Sequence, residues 1–101
     1  MLAPPFLVFF AFLFAIEWDE AKARANLRKH GVSFSEAVTC FLDAEAFTAP
    51  DKDYPDRFVL IGLSRQLRVL FVVSAEAGDR IRIISARKAS PAQRKVYENG
   101  P

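Results

Sequence analysis

The amino-acid sequence predicts an α+β fold, in which a small antiparallel sheet of about four strands carries two N-terminal helices and one C-terminal helix on one face. Two segments with helix-capping residues lie between residues 19 and 42, and three apolar runs follow between residues 58 and 86. A third capped segment starts at Ser90. Helices and strands that come in separate groups, without regular alternation, are typical of α+β proteins. With 101 residues, about half of them apolar, the chain can form one domain with its own core.

The first predicted elements are a short strand and a helix. The stretch FAIEW (14–18) alternates as a strand does, with Phe14 and Ile16 on one face. Asp19 is a favourable N-cap for the helix EAKARANLRKH that follows, because its carboxylate accepts hydrogen bonds from the first backbone N–H groups. Gly31 stands where a left-handed C-cap is needed, so the helix is predicted to end there.

A second helix is predicted from the S-x-x-E spacing of Ser33 and Glu36, which is that of a capping box. Cys40, on this helix, is predicted to be a small buried hydrophobe. It is the only cysteine, which excludes an intramolecular disulfide framework and indicates a reducing compartment. The helix packs by one apolar stripe, formed by Phe34, Ala37, Val38 and Phe41.

The sheet and the last helix are predicted from the second half of the chain. Residues 43–57 are polar and contain two prolines, so we expect a loop with a brief strand near residues 46–48. The three strands beyond it have connections short enough for hairpins, which makes them consecutive and antiparallel. Ser90, followed by Pro91 and Gln93, predicts the start of the last helix, which runs to about Tyr97. The strands are FVLIGLS (58–64), RVLFVVS (68–74) and RIRIISA (80–86).

The first sixteen residues, MLAPPFLVFFAFLFAI, carry no charge. They fall short of the roughly 18–20 apolar residues that a membrane-spanning helix needs, and no positive segment precedes them as in a secretory signal. We therefore expect residues 1–13 to be a leader that results from an upstream choice of start codon, and residues 14–98 to form the single domain. The alternative is a genuine apolar anchor.

Positive charge is concentrated in the second half of the chain. Between Arg57 and Lys95 there are nine arginines and lysines against two acids. In RIRIIS the alternation places Ile81 and Ile83 towards the helices and leaves the intervening arginines on the uncovered face of the sheet. A face of planar, permanently charged guanidinium groups suits phosphate oxygens, so a polyanionic partner is indicated. The alternative is a solvated face that is merely basic.

Three stretches of the sequence resemble the BrnT toxins of bacterial type II toxin–antitoxin pairs. They cover most of residues 14–98 and are followed by a helix that carries a tyrosine. The resemblance implies a RelE-like fold and a sequence-lenient cytoplasmic endoribonuclease that inhibits translation. It also implies a ribbon-helix-helix antitoxin (BrnA-like) that keeps the toxin inactive, with operator DNA contacted through that antitoxin. The stretches are FAIEWDEAKARANLRKHGVSFSEA (14–37), FVLIGLS (58–64) and IRIISARKAS (81–90).

The chain departs from the family pattern at two places. Leu67 stands in a turn where the family usually has glycine. Beyond the next strand's paired valines, the usual Tyr-Thr-Glu-Arg is replaced by Ser74, Ala75, Glu76 and Ala77. Loss of a tyrosine and an arginine near the basic face leaves an alternative function open, in which a catalytically degenerate toxin acts only as an antitoxin-binding corepressor.

Metal-free RNA cleavage needs a base for the 2′-hydroxyl, cations for the crowded phosphorane and an acid for the leaving 5′-oxygen. No metal-ligand motif is present in the sequence, so neither a metal nor another cofactor is expected. His30, the only histidine, is the candidate for proton transfer, and the alternative is a favourable contact with the helix dipole. The predicted cationic groups of the site are Arg68, Arg82, Arg87 and Lys88. The predicted RNA-binding residues are Lys22, Arg80, Arg94 and Tyr97.

For three of these residues the sequence allows a structural role. Arg82 could pair with an acid across the sheet, and Lys88 could neutralise a helix terminus. The ring of Tyr97 could pack on the sheet instead of stacking on a base.

Overall fold

The computed structural model describes residues 15–100, and the predicted leader and Phe14 lie outside them. The α+β class is confirmed. No helix within the described part of the chain is long and apolar enough to cross a membrane. The elements are β1 (Ile16–Glu17), α1 (Glu20–His30), α2 (Phe34–Thr39), a 3-10 helix (Cys40–Leu42), β2 (Phe47–Pro50), β3 (Arg57–Leu63), β4 (Val69–Ala77), β5 (Arg80–Lys88) and α3 (Pro91–Asn99).

The sheet has five strands in the order β1-β5-β4-β3-β2. The three long strands are consecutive and antiparallel, as predicted, and β2 extends them on one edge. β1 joins the opposite edge in parallel to β5, with Ile16 opposite Ile81. The sheet is therefore mixed instead of purely antiparallel, because the first strand fills an edge that is remote in sequence.

Helices α1 and α2 cover one side of the sheet, which we call the first face. The first face contributes five side chains to a buried hydrophobic core. The residues between α1 and α2, α2 itself and the 3-10 helix contribute Val32, Phe34, Ala37 and Cys40. Trp18 packs its ring edge-on against Phe34, with the centroids 6.1 Å apart. The five side chains of the first face are Leu60, Leu70, Val72, Ile83 and Ala86.

Helix α3 lies on the other side, the second face, and so the prediction that all helices share one face is wrong for it. Ala86 is buried in the core, and the next side chain, Arg87, points the opposite way. Arg87 donates a hydrogen bond to Gln93 of α3. The second face also holds apolar side chains, among them the buried Ile61, and α3 contacts strands β3 and β4 there.

A bulge in β5 determines which side chains reach the second face. Ser74 of β4 lies opposite Ile83, but Val73 lies opposite Ser85, so β5 contains one extra residue. The extra residue shifts the alternation of side chains by one. Without it, Arg87 would lie on the same face as Ile83, in the core. With it, Arg87 lies on the second face.

The buried amide of Asn26 joins α1 to β5 just beyond this bulge. Its Nδ2 donates to the carbonyl oxygens of Ala86 (2.8 Å) and Val32 (2.9 Å), and its Oδ1 accepts from the backbone N–H of Ala86 (3.2 Å). β1 pairs with β5 only as far as Arg82. The side chain of Asn26 therefore satisfies the edge of β5 where no strand does.

We expect Asn26→Ala to lower the free energy of unfolding by about 3 kcal/mol, because buried backbone groups of Ala86 and Val32 lose their partners. Urea denaturation followed by circular dichroism measures the change. Arg24→Ala, an exposed substitution in the same helix, is the control and should shift the value by less than about 0.5 kcal/mol. Equal effects of the two substitutions would contradict the bridging role of Asn26.

Leu67 adopts a left-handed backbone conformation, with φ at 64°. It lies in the turn between β3 and β4, where its N–H donates to the carbonyl of Ser64, and its side chain is 78% exposed. A side chain at such a φ is strained, and glycine is not. The exposed side chain offers little packing in return, so the departure from glycine at this turn costs stability.

Leu67→Gly should raise the free energy of unfolding by about 0.5–1 kcal/mol, because relief of strain outweighs the added freedom of the unfolded chain. Thermal unfolding measures the difference. Gln66→Gly, at the neighbouring turn residue with ordinary backbone geometry, should instead lower it by a similar amount. A loss of stability in Leu67→Gly would show that the side chain contributes more than its exposure indicates.

Candidate nucleic-acid interface

Four of the predicted site residues gather at one end of the sheet, where β4 begins and β5 ends, which we call the exit end. Asn26 is hydrogen-bonded to Ala86 near the end of β5, and His30 lies one helical turn beyond Asn26. Helix α1 therefore ends at the exit end of the sheet. The guanidinium of Arg68 reaches the carbonyl of Gly31, next to His30, at 3.1 Å. Lys88 lies opposite Leu70 and Arg87 precedes it. His30, Arg68, Arg87 and Lys88 therefore surround the exit end, on both faces of the sheet.

Arg68 is held by an acid on the first face. Its Nε donates to Oε2 of Glu36 (2.9 Å) and its second terminal nitrogen donates to Oε1. The hydroxyl of Ser64 donates to the same carboxylate at 2.7 Å, and Glu36 is only 5% exposed. Arg68 therefore lies on the first face, on the same side as Leu70 and towards α2, and does not join the uncovered face that carries the arginines of RIRIIS.

The hydrogen bonds from Arg68 hold the pKa of the Glu36 carboxyl below its ordinary value, although burial acts in the opposite direction. They also change the predicted capping box of α2. Ser33 accepts a hydrogen bond from the N–H of Glu36, but the carboxylate binds Arg68 and Ser64. Only half of the capping box therefore forms.

Arg87 is fixed on the second face by three contacts. Its guanidinium carbon lies 4.4 Å from the centre of the Phe71 ring, a cation–π geometry. One terminal nitrogen donates to the carbonyl of Lys88 (3.1 Å) and to Oε1 of Gln93 (3.0 Å). The Nε and the other terminal nitrogen make no hydrogen bond within residues 15–100 and can donate to two phosphate oxygens in a bidentate manner.

Arg82 lies at the opposite end of β5, separated from Arg87 by about 16 Å of strand. It shares the second face with Arg87, but two of its nitrogens donate to Oε2 of Glu17, at 3.0 and 2.6 Å. Arg80 lies 3.8 Å from the other oxygen of Glu17. The alternative of an acid across the sheet is thus observed for Arg82, and the structure does not bring Arg82 to the exit end.

Tyr97 anchors α3 through its hydroxyl, which donates to Oδ2 of Asp43 at 2.6 Å. The same oxygen accepts from the backbone N–H of Leu63 at 2.8 Å. The hydrogen bond to Asp43, reinforced by partial burial, raises the pKa of Tyr97 to about 12. The hydroxyl is therefore held by Asp43 beside the end of β3. Stacking of the Tyr97 ring on a base stays a prediction.

The remaining predicted residues lie around these groups. Lys22 is exposed in the first turn of α1, and Arg94 is exposed on α3. Among residues 15–100 no three histidine, cysteine or acidic side chains come together as a group that could hold a metal ion. Cys40 is buried, as predicted, and burial raises the pKa of its thiol to about 12.

Sequence reasoning missed three residues that determine where the arginines point, namely Glu36, Phe71 and Gln93. In the sequence, Glu36 and Gln93 are recognisable only as helix-capping residues, and their spacing gives no indication that each binds a distant arginine. Phe71 occupies an ordinary strand position. The bulge that turns Arg87 towards Phe71 and Gln93 has no clear sequence signal, since Ile84 continues the apolar run.

Comparison with known proteins identifies relatives. A protein-family model described as the ribonuclease toxin BrnT of type II toxin–antitoxin systems matches residues 18–93. The fold is similar to the crystal structure of the Brucella abortus ribonuclease toxin, BrnT, with a TM-score of 0.62 and 32% sequence identity. That similarity covers 74% of this chain and 95% of the Brucella chain. No curated protein matches.

We expect Glu36→Gln to lower the free energy of unfolding at pH 7 by roughly 1–3 kcal/mol, because charged hydrogen bonds to Arg68 are lost. The pKa of Glu36 is depressed in the folded state, so its contribution is present above the ordinary value of 4.5 and is lost as the pH falls below it. The variant should therefore approach the wild type in stability as the solution is acidified.

Denaturation curves between pH 7 and pH 3 measure this convergence. Glu98→Gln, at an exposed acid of α3, is the matched control and should leave the difference from wild type small at every pH. If the free energies of unfolding of Glu36→Gln and the wild type differed by the same amount at every pH, the stabilisation would not depend on the ionised carboxylate of Glu36.

Proposed function

The chain belongs to the BrnT family of ribonuclease toxins of type II toxin–antitoxin systems, and we propose that it is a metal-independent endoribonuclease that inhibits translation. The toxin role follows from the family. The proposed domain spans residues 14–98, which contain the whole matched region. The observation that supports the reaction is that α1 ends with His30 at the exit end of the sheet, where β5 ends with Lys88 on the first face and Arg87 on the second.

In the proposed reaction, the 2′-hydroxyl of a ribose attacks the adjacent phosphate, and the bond to the 5′-oxygen of the next nucleotide breaks. His30 takes the proton from the 2′-hydroxyl, since an imidazole nitrogen is the most common general base in enzymes. Lys88, on the first face with α1, binds the phosphate oxygens as negative charge accumulates on them and protonates the leaving oxygen, while Arg87, on the second face, binds a neighbouring phosphate of the same RNA strand. The products are a cyclic phosphate and a free 5′-hydroxyl, and no external oxidant or metal is consumed.

Arg68 has a different role in this proposal. Because its charge is shared with buried Glu36, it supports the junction of α1 and α2, next to His30, and contacts RNA only through its other terminal nitrogen. Arg80, Arg82 and Lys22 lie towards the other end of β5 and α1 and extend the positive surface along the RNA. Arg94 and Tyr97 lie on α3, on the side of Arg87.

A type II toxin implies an antitoxin partner. We propose a BrnA-like ribbon-helix-helix antitoxin, whose acidic segment covers the cations of the exit end and so excludes RNA in the cytoplasm. Operator DNA would be contacted through that antitoxin. In this proposal one surface serves both RNA and antitoxin, which accounts for the concentration of positive charge there.

A second candidate function is that of a degenerate toxin, which binds its antitoxin as a corepressor and cleaves nothing. It is favoured by the pairing of Arg82 with Glu17 and by the substitutions Ser74, Ala75 and Ala77 in the same region. Those positions lie at the far end of β4 from the exit end. Loss of RNA contacts at that far end would weaken RNA binding but would leave His30 and Lys88 at the exit end in place. Cleavage is therefore the function that we favour.

Purified wild-type chain should cleave single-stranded RNA in the presence of EDTA, and His30→Ala, Arg87→Ala or Lys88→Ala should lower the rate by roughly 10²–10³-fold. The reason is that each removes a proton-transfer or phosphate-binding group. Gel electrophoresis of an end-labelled oligonucleotide measures the rate.

Arg24→Ala serves as the control, because it removes an exposed cation of α1 and should leave cleavage within about twofold. Thermal unfolding of every variant separates lost activity from lost fold. Loss of cleavage on chelation would contradict the metal-free mechanism. Wild-type protein that leaves RNA intact, yet binds its antitoxin, would favour the corepressor.

A further inference from the structure

The side-chain oxygen of Gln93 accepts two hydrogen bonds from different parts of the chain. One comes from the backbone N–H of Ser90 (2.9 Å) and completes the capping box of α3. The other comes from the guanidinium of Arg87 (3.0 Å). We infer that Gln93 is a positioning residue, which holds the guanidinium of Arg87 in one orientation for an RNA phosphate. This inference rests on the proposed function.

The contacts of Arg87 determine which of its donors remain available. The nitrogen that binds Gln93 also binds the carbonyl of Lys88, so both of its hydrogens are used. Phe71 covers one flat side of the guanidinium. What remains is the edge formed by Nε and the second terminal nitrogen, which is the fork that matches two phosphate oxygens.

Fixing that fork before RNA arrives has an energetic consequence. An arginine side chain has many rotamers, and ordering it on binding costs free energy. In this structure the ordering is completed during folding, because the start of α3 and the ring of Phe71 restrain the side chain. The phosphate therefore meets a group that is already oriented.

The amide of Gln93 suits this role better than a carboxylate does. Glutamate also completes capping boxes, so the helix alone does not require glutamine. A carboxylate bonded to Arg87 would form an ion pair, and the phosphate would then compete with it for the positive charge. Glutamine restrains the guanidinium and leaves its full charge for the phosphate.

Two matched variants separate positioning from helix capping. Ser90→Ala removes the hydroxyl that accepts from the N–H of Gln93 and leaves the contact of Gln93 with Arg87 intact. Gln93→Ala removes both the capping bond and the contact with Arg87. We expect Gln93→Ala to lower kcat/KM for RNA about tenfold more than Ser90→Ala does, at similar thermal stability.

A double-mutant cycle tests whether Gln93 acts through Arg87. In the background of Arg87→Ala, addition of Gln93→Ala should change kcat/KM by less than about twofold, because the group to be positioned is absent. Gln93→Glu should keep the capping box and the fold, yet bind RNA more weakly than the wild type does. The same cycle is measured for the Kd of a DNA oligonucleotide of identical sequence, which lacks the 2′-hydroxyl nucleophile and cannot be cleaved by this route.

The outcomes separate the inference from the proposed function. If the wild type cleaves RNA, then equal activity of Gln93→Ala and Ser90→Ala, or an undiminished loss in the Arg87→Ala background, would overturn the positioning role. If the wild type cleaves nothing, the proposed function fails. The double-mutant cycle on the Kd of the DNA oligonucleotide then tests the positioning role by itself. Coupling between Gln93 and Arg87 in that Kd supports the inference, and independent effects overturn it.

Discussion

The hydrogen bonds of the Asn26 amide are the constraint on which most of this structure depends. Three buried backbone groups, on β5 and at the start of the α2 segment, find their partners in one side chain of α1. Such groups are costly to bury unpaired, so the amide fixes the spacing of α1, β5 and the residues before α2 together. The hydrophobic core forms between the same elements and buries apolar surface there, whereas the amide of Asn26 fixes how α1 and β5 are aligned along each other.

The positions of His30 and Arg87 both follow from that register. Asn26 is bonded to Ala86 immediately after the bulge in β5, and it thereby stabilises the alternation that sends Arg87 to the second face. One turn further along α1, His30 reaches the same end of the sheet. The site is thus assembled from a helix end and a strand end, with the sheet between them. Glu36 and Gln93 then orient the arginines on the two sides.

Local signals made much of the fold predictable. The caps at Asp19, Ser33 and Ser90 predicted where helices begin, and the short connections between the three long strands predicted hairpins. Non-local contacts were not predictable. The parallel pairing of β1 and the ion pair of Arg68 with Glu36 join residues that are far apart in sequence, and no local pattern indicates them. For the candidate site, the residue types were recognisable and their directions were not.

The edges of the sheet have a consequence for the protein in concentrated solution. An exposed strand edge offers free N–H and C=O groups to a second chain and is a common route to aggregation. On one side β5 is covered by the two residues of β1 and then by the side chain of Asn26. On the other side β2 is only four residues long and ends in Pro50, which lacks an N–H. Both borders of the described sheet thus resist the addition of a strand from a neighbouring molecule.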